Sequence, residues 1–309
     1  MTDEQRRKPT STSAFGASRR EGHDATDFYA RFSAPVLSDD DTVNPCPVSN
    51  SIICGDSRAM TTVPDNCIAL VVTSPPYFAG KAYEQALGEG GIPATYVEFL
   101  QMLEAVFAEC VRVLEPGGRL AVNVANLGRK PYRSLSGDVT AILQDRLGLL
   151  LRGEILWQKA EGAGNNCAWG SFQSAANPVL RDMTERVIVA SKGRFDRAYN
   201  KAQRVKLGLP HVDTITKEAF MESTLDVWKI RPESARRVGH PAPFPVALPE
   251  RFINLYTYEN DVVLDPFMGA GSTAIAAIRT GRHYVGFDTD QTYVDLTNRR
   301  LADEPQPKL

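Results

Sequence analysis

From about residue 48 onward, short apolar runs alternate with stretches whose apolar residues recur every three or four positions. Ile52–Cys54 is a short apolar run closed by Gly55 and Asp56, and Ile68–Thr73 is a Val- and Ile-rich run that stops at Ser74-Pro75-Pro76. Both read as strands, the second as a buried one. Over Tyr96–Leu114 the apolar positions Val97, Leu100, Leu103, Phe107, Cys110, Val111 and Leu114 have helical spacing, which predicts an amphipathic helix ended by Pro116-Gly117-Gly118. The pattern then predicts strand over Leu120–Val124, helix over Asp138–Leu150 and strand over Glu154–Trp157. Glu185–Ala190 follows as a hairpin partner of that last strand. Toward the C-terminus it predicts helix Pro245–Tyr256, strand Asp261–Leu264, helix Ser272–Arg279, strand Tyr284–Phe287 and helix Gln291–Leu301. Strands alternating with helices imply an α/β fold with a largely parallel sheet covered on both faces. In such sheets ligands sit at the carboxyl ends of the strands, so the loops after strands carry the interest.

Composition bounds the picture. The 309 residues are 43% hydrophobic and 23% charged, ordinary usage for a chain able to bury a substantial core. Residues 1–47 are rich in Ser, Thr, Asp, Arg and Pro and are expected to form a flexible N-terminal arm, with Phe28, Tyr29, Phe32 and Val36 as its apolar anchors. The five cysteines lack a CxxC pair and the four histidines are scattered, so no metal site is expected and the thiols read as reduced. No apolar run reaches the ~18 residues of a membrane span, and the polar N-terminus lacks a signal-peptide core. A cytoplasmic protein is expected.

Two loops concentrate the candidate chemistry. Asp265-Pro266-Phe267-Met268-Gly269-Ala270-Gly271-Ser272-Thr273 follows a buried strand and opens a helix. Its glycines permit close backbone approach, and the helix start offers N–H donors to a carboxylate or phosphate. The next strand ends at Asp288, placed to accept from ribose hydroxyls. The loop lacks both Gly-x-Gly-x-x-Gly and the Gly-Lys-Ser/Thr of a P-loop, which argues against ATP. The second loop is Thr73-Ser74-Pro75-Pro76-Tyr77. Its prolines stiffen the backbone and remove N–H donors. The Ser74 hydroxyl and Pro75 carbonyl are then presented as acceptors beside the Tyr77 ring. Two acceptors and an aromatic face suit the exocyclic amine of a flat base; alone, the loop could equally be a Pro-Pro turn.

Together, these loops resemble those of the S-adenosylmethionine-dependent amino-group DNA methyltransferases. Asp265–Thr273 is similar to that family's Asp-Pro-Phe-x-Gly-x-Gly cofactor loop, and Thr73–Tyr77 to its Ser/Asp-Pro-Pro-Tyr catalytic motif. The catalytic motif comes first, the order of the beta class. Asp56 matches the family's acidic cofactor position, and Ile155-Leu156-Trp157-Gln158-Lys159 its Trp-x-Lys strand. His240-Pro241-Ala242-Pro243-Phe244-Pro245 resembles its His-Pro-x-x-Phe-Pro segment. The resemblance, over roughly residues 50–302, implies a doubly wound, seven-stranded, mostly parallel sheet of the Rossmann-like methyltransferase type. It would have one antiparallel hairpin, circularly permuted motifs and an inserted target-recognition region.

The resemblance also implies a reaction: direct transfer of a methyl group from S-adenosyl-L-methionine to the exocyclic amine of a base flipped from double-stranded DNA. Ser74, Pro75, Pro76 and Tyr77 would form the catalytic loop, with the base stacked on Tyr77. The cofactor would be lined by Asp56, Thr73, His240, Phe244, Asp265, Pro266, Phe267, Gly269, Gly271, Ser272, Thr273 and Asp288. Among these, His240 and Phe244 fit a helix-packing role as well. Cys46 alone follows a proline, and it lies in the arm, which disfavours C5-cytosine chemistry. Ser at position 74 resembles the N4-cytosine subset; N6-adenine is the alternative, and a catalytically silent DNA-binding relative is the alternative of another class.

Net charge is only −2, yet residues 152–240 hold 15 Lys and Arg against 10 Asp and Glu. Lys192, Arg194, Arg197, Lys201, Arg204 and Lys206, interleaved with Phe195 and Tyr199, are the candidate phosphate contacts, with Arg236 and Arg237 beside them. Asn165–Gln173 is a polar, aromatic-bearing loop that could approach the base. The expected division is an arm over 1–47, a catalytic half over 48–190, a target-recognition insert over 191–235 and a cofactor-binding half over 236–309. A restriction-modification or phage-defence setting leaves room for a separate restriction endonuclease as partner, and a homodimer stays open. No Asp/Glu-x-Lys triplet points to a fused nuclease.

Overall fold

The computed structural model describes residues 36–78, 95–126, 131–159, 170–180, 182–239 and 243–304. Residues from Val36 onward belong to one compact unit. The elements are β1 (Ser51–Cys54), β2 (Ile68–Thr73), α1 (Tyr96–Val113), β3 (Leu114–Val124), α2 (Leu135–Ala141), β4 (Leu150–Gln158) and β5 (Thr184–Ser191). There follow α3 (Lys201–Leu207), α4 (Lys217–Ser223), β6 (Val227–Lys229), α5 (Ala235–Val238), α6 (Ala247–Tyr256), β7 (Val262–Asp265), α7 (Ser272–Arg279), β8 (His283–Asp288) and α8 (Gln291–Ala302).

The strands form one sheet in the order β1-β8-β7-β2-β3-β5-β4-β6. Strand β5 runs antiparallel to both β3 and β4, and the other pairings are parallel. The α/β fold and the antiparallel hairpin match expectation; the strand count does not. The eighth strand is β6, which extends the sheet beyond β4 through Leu156↔Val227 and Gln158↔Lys229. Three residues are too few to show a period in sequence. What holds β6 is Trp228, fully buried and packed on Phe252 at 4.5 Å between ring centroids.

Adjacent residues of one strand point to opposite faces, so the central strands feed two cores. Ile68 and Val71, Leu120 and Val122, Leu264, Val285 and Phe287 join α1 and α2 on one face. Leu70 and Val72, Ala121, Val263 and Tyr284 join α6 and α7 on the other. This two-sided burial explains why β2 and β7 read as continuous apolar runs. Helix α1 starts at a capping box, Thr95 with Glu98, and buries Phe99, Leu103, Val106, Phe107, Cys110 and Val113. That face is rotated from the predicted one, leaving Val97 exposed.

Pro116-Gly117-Gly118 reads as a loop in sequence and lies inside β3 instead. Gly117 takes φ +76°, and a Cβ there would collide with the Asp196 carbonyl oxygen. The ladder to β2 slips between Ile68 and Leu70, so the extra backbone is absorbed as a bulge. Helix α2 begins earlier than predicted because Ser134 caps it, and runs into a π turn over Ile142–Arg146. Among the described residues no helix is long and apolar enough to cross a membrane.

Candidate active site

Strands β2 and β7 lie side by side and parallel, pairing Leu70 with Val263 and Val71 with Leu264. Their carboxyl ends therefore bring the two loops singled out in sequence into contact. The join is made by Asp265, wholly buried at the end of β7. Its Oδ1 accepts from Thr73 Oγ1 at 2.6 Å and from the Phe267 backbone N–H at 3.0 Å. Its Oδ2 accepts from Thr273 Oγ1 at 2.8 Å. Burial pushes the Asp265 carboxyl up to about 6, against the pull of these donors. Both oxygens are thus committed to holding the loops together.

Beyond Asp265 the chain turns through Gly269 (φ +50°) and Gly271 (φ +80°) into α7. Gly271 is the N-cap and gives α7 no side-chain cap, so the first turn keeps its donors for another partner. A Cβ on Gly271 would meet Thr297 Cγ2 of α8 at 2.5 Å, so the tight approach requires glycine. Ser272 Oγ donates to the Phe244 carbonyl at 2.8 Å, and Phe244 packs on the α6/α7 side of the sheet. Pro266 is buried and Phe267 half-buried.

Asp288 ends β8 on the neighbouring strand. Its carboxylate accepts from the backbone N–H of Gly269 at 2.8 Å and of Asp290 at 2.9 Å, and burial raises its pKa. Asp56 stands beside it, since Gly55 N–H donates to the Asp288 carbonyl at 2.9 Å. The Asp56 carboxylate is engaged by Arg58, which holds its pKa below the ordinary value. His240, expected to lie with this group, falls outside the described residues, as does Asn165–Trp169 of the polar loop.

The catalytic-motif loop is more tied down than its sequence suggests. Ser74 Oγ lies 2.7 Å from the Tyr77 hydroxyl. The Tyr77 hydroxyl donates to Glu185 Oε2 at 3.0 Å and accepts from Asn123 Nδ2 at 3.0 Å. Asn123 Nδ2 also donates to Glu185 at 2.5 Å, and Lys159 pairs with the other carboxylate oxygen of Glu185. Phe78 turns away at φ +54° to stack on Phe99 at 5.3 Å. Asn123 and Glu185 were not singled out in sequence. The available signal was a polar residue inside an apolar strand, Val-Asn-Val, and an acid opening another, Glu-Arg-Val-Ile-Val.

The basic stretch needs a correction. Arg204 is fully buried, and Arg197 keeps a tenth of its side chain exposed. Arg197 and Arg204 share the buried carboxylates of Glu115 and Asp261, so their charge is spent inside the protein. Lys192 is half-buried and donates to Asn66 Oδ1 and the carbonyls of Arg112 and Leu114. Arg194 donates to the Asp40 carbonyl. Lys201, Lys206, Arg236 and Arg237 are exposed, with Lys201 paired to Asp213 and Arg237 to Glu233. Lys192, Arg197 and Arg204 cannot reach a phosphate without unmaking these contacts.

Known proteins are similar to this chain in sequence and in fold. A description of the DNA methylase family, covering N6 and N4 methyltransferases, matches residues 68–299. The type II methyltransferase M.BglI of Bacillus subtilis is 27% identical over 305 residues, spanning 82% of this chain and 85% of its own. M.MjaI of Methanocaldococcus jannaschii is 27% identical over 299 residues, spanning 86% and 94%. Among solved structures, a DNA modification methylase of Thermus thermophilus, complexed with S-adenosyl-L-methionine, is 28% identical with a TM-score of 0.64, covering 84% of this chain and 96% of its own. The cytosine-N4-specific PvuII DNA methyltransferase shares the fold at 21% identity, with a TM-score of 0.62 over 85% and 91%.

Proposed function

The chain belongs to the N6/N4 DNA methylase family, and from that premise we propose that it is a type II, site-specific methyltransferase acting on the N4 amine of cytosine. The observation that carries the proposal is the hydrogen bond from Thr73 to Asp265. It fastens a Ser-Pro-Pro-Tyr loop to the lip of a glycine-bearing loop that opens a helix. The type II setting is supported by M.BglI and M.MjaI, both type II methyltransferases, and would pair this chain with a separate restriction endonuclease.

The cofactor is S-adenosyl-L-methionine, and the residues present fit it. The uncapped start of α7 offers backbone donors suited to a carboxylate. Asp288 offers carboxylate oxygens suited to ribose hydroxyls, and Phe267 an apolar surface. Asp56 would act on the adenine amine after exchanging its Arg58 contact. Asp265 would work by fixing the loop. When bound, the cofactor supplies a methyl group made electrophilic by a sulfonium.

The protein's share of the chemistry is placement. The lone pair of an exocyclic amine is delocalised into its ring. Ser74 Oγ and the Pro75 carbonyl would accept its two hydrogens, favouring a pyramidal nitrogen whose lone pair faces the methyl group. Tyr77 would stack on a base flipped from the duplex. Exposed Lys201, Lys206, Arg236 and Arg237 would contact phosphates. The target-recognition insert over 191–235 is part of the proposal, and its β6 segment shares the catalytic sheet.

The test is transfer of tritiated methyl groups to DNA, followed by nucleoside analysis. Label in N4-methylcytosine is expected, with Ser74→Ala losing turnover while retaining cofactor affinity. Label in N6-methyladenine would move the target to adenine, and full turnover by Ser74→Ala would remove Ser74 from the mechanism.

A further inference from the structure

A serine hydroxyl in the catalytic loop poses a problem that an aspartate would not. It can donate or accept, whereas an amine that must be drawn toward a pyramidal geometry needs an acceptor. The polar cluster beneath the loop bears on this. Glu185, on β5, is 6% exposed. It receives the Tyr77 hydroxyl at 3.0 Å, Asn123 Nδ2 at 2.5 Å and the Lys159 ammonium. A carboxylate paired with the Lys159 ammonium acts here as an acceptor. The Tyr77 proton therefore points to Glu185. Asn123 Nδ2 faces the whole chain, donating to Glu185 and lying 3.0 Å from the Tyr77 hydroxyl and 3.3 Å from Ser74 Oγ. With its proton committed, the Tyr77 oxygen can only accept from Ser74 Oγ, 2.7 Å away. The Ser74 proton then points inward; one lone pair of its oxygen faces Asn123 Nδ2 at 3.3 Å, and the other is left for the substrate.

We propose that Glu185, held by Lys159 and Asn123, is a positioning residue that sets the direction of the Tyr77–Ser74 hydroxyl chain and so makes Ser74 a hydrogen-bond acceptor for the target amine. The inference rests on the assignment of Ser74 to the amine. It adds a role for β5 and for the end of β4, the hairpin that neither motif loop contains. It also gives the Tyr77 hydroxyl a function separate from stacking by its ring.

The experiment measures kcat, the DNA KM and the cofactor Kd for the full chain and for Glu185→Gln, Tyr77→Phe and the double variant. The substrate is genomic DNA from a methylation-free host, and thermal unfolding is followed in parallel. Glutamine keeps the shape of Glu185 but can donate to Tyr77 and reverse the chain; phenylalanine keeps the ring and cuts it. Each single change is expected to lower kcat by about tenfold or more, as loss of a charge-assisted hydrogen bond does, with KM and Kd within about twofold. Glu185→Gln is expected to cost nothing further on the Tyr77→Phe background, because the link it acts through is gone. Wild-type kcat in Tyr77→Phe overturns the inference, and this arm stands even if Glu185→Gln fails to fold. Equal losses from Glu185→Gln with and without the Tyr77 hydroxyl also overturn it, leaving Glu185 a structural part. Absence of methyl transfer by the unaltered chain would instead overturn the proposed function beneath it, so the two failures are separable.

Discussion

Asp265 carries an electrostatic cost at neutral pH that three hydrogen bonds only partly offset. Its carboxyl titrates at about 6 in the folded protein, against ~3.9 in an unfolded chain. Between these values the folded state holds a proton that the unfolded state has lost. The stability linked to this group is therefore fully present below pH ~4, declines as pH rises to about 6 and is flat above. The decline is worth up to about 3 kcal/mol. Urea unfolding of the wild type and Asp265→Asn from pH 4 to 7 should show that slope in their difference, because the amide does not titrate. Parallel profiles would mean that Asp265 ionises without cost. At this scale the two motif loops were legible because each is a contiguous run whose residues meet locally. Asn123 and Glu185 were not, because the order of strands brings them together, and Lys159, legible as the end of the Trp-x-Lys motif, gave no sign of its partner. Asn123 and Glu185 lie 62 positions apart and touch only because β3 and β5 are neighbours.

Elements were legible where burial repeats with a period. Ile68–Thr73 and Ser272–Arg279 have the bounds their apolar patterns predict. The pattern fails where a partner supplies the geometry. Pro116-Gly117-Gly118 stays in β3 because the Lys192 carbonyl receives the Gly117 N–H. Helix α3 shows the same limit for charge. Its Arg204 reads as one cation in a basic run, yet it is fully buried with Arg197 against Glu115 and Asp261. This cluster fastens α3 to the start of β3 and to the turn before β7. Arg204→Met should destabilise the protein by about 3 kcal/mol, because two buried carboxylates would then share one cation. A urea midpoint unchanged by the substitution would show that the cluster is solvated in solution.

Over the whole molecule, the sheet sets the order of function across its carboxyl edge. Strands β1, β8 and β7 present the candidate cofactor side, and β2, β3 and β5 the candidate catalytic side. The charge asymmetry seen in sequence survives in reduced form once Arg197, Arg204 and Lys192 are withdrawn. DNA affinity should therefore depend on few cations. Lys206→Ala with Arg236→Ala should lower the slope of log affinity against log salt by about two, if each neutralises one phosphate. An unchanged slope would place the DNA on another face. The claim that unites these scales is that the loops after β2 and β7 together methylate an exocyclic amine in DNA. It is tested most directly by modification-sensitive sequencing of DNA from cells expressing this chain or its Ser74→Ala variant. N4-methylcytosine at one short recurring sequence, present with the wild-type chain and absent with the variant, is the predicted result. C5-methylcytosine, or no modified base, in DNA from wild-type-expressing cells would contradict it.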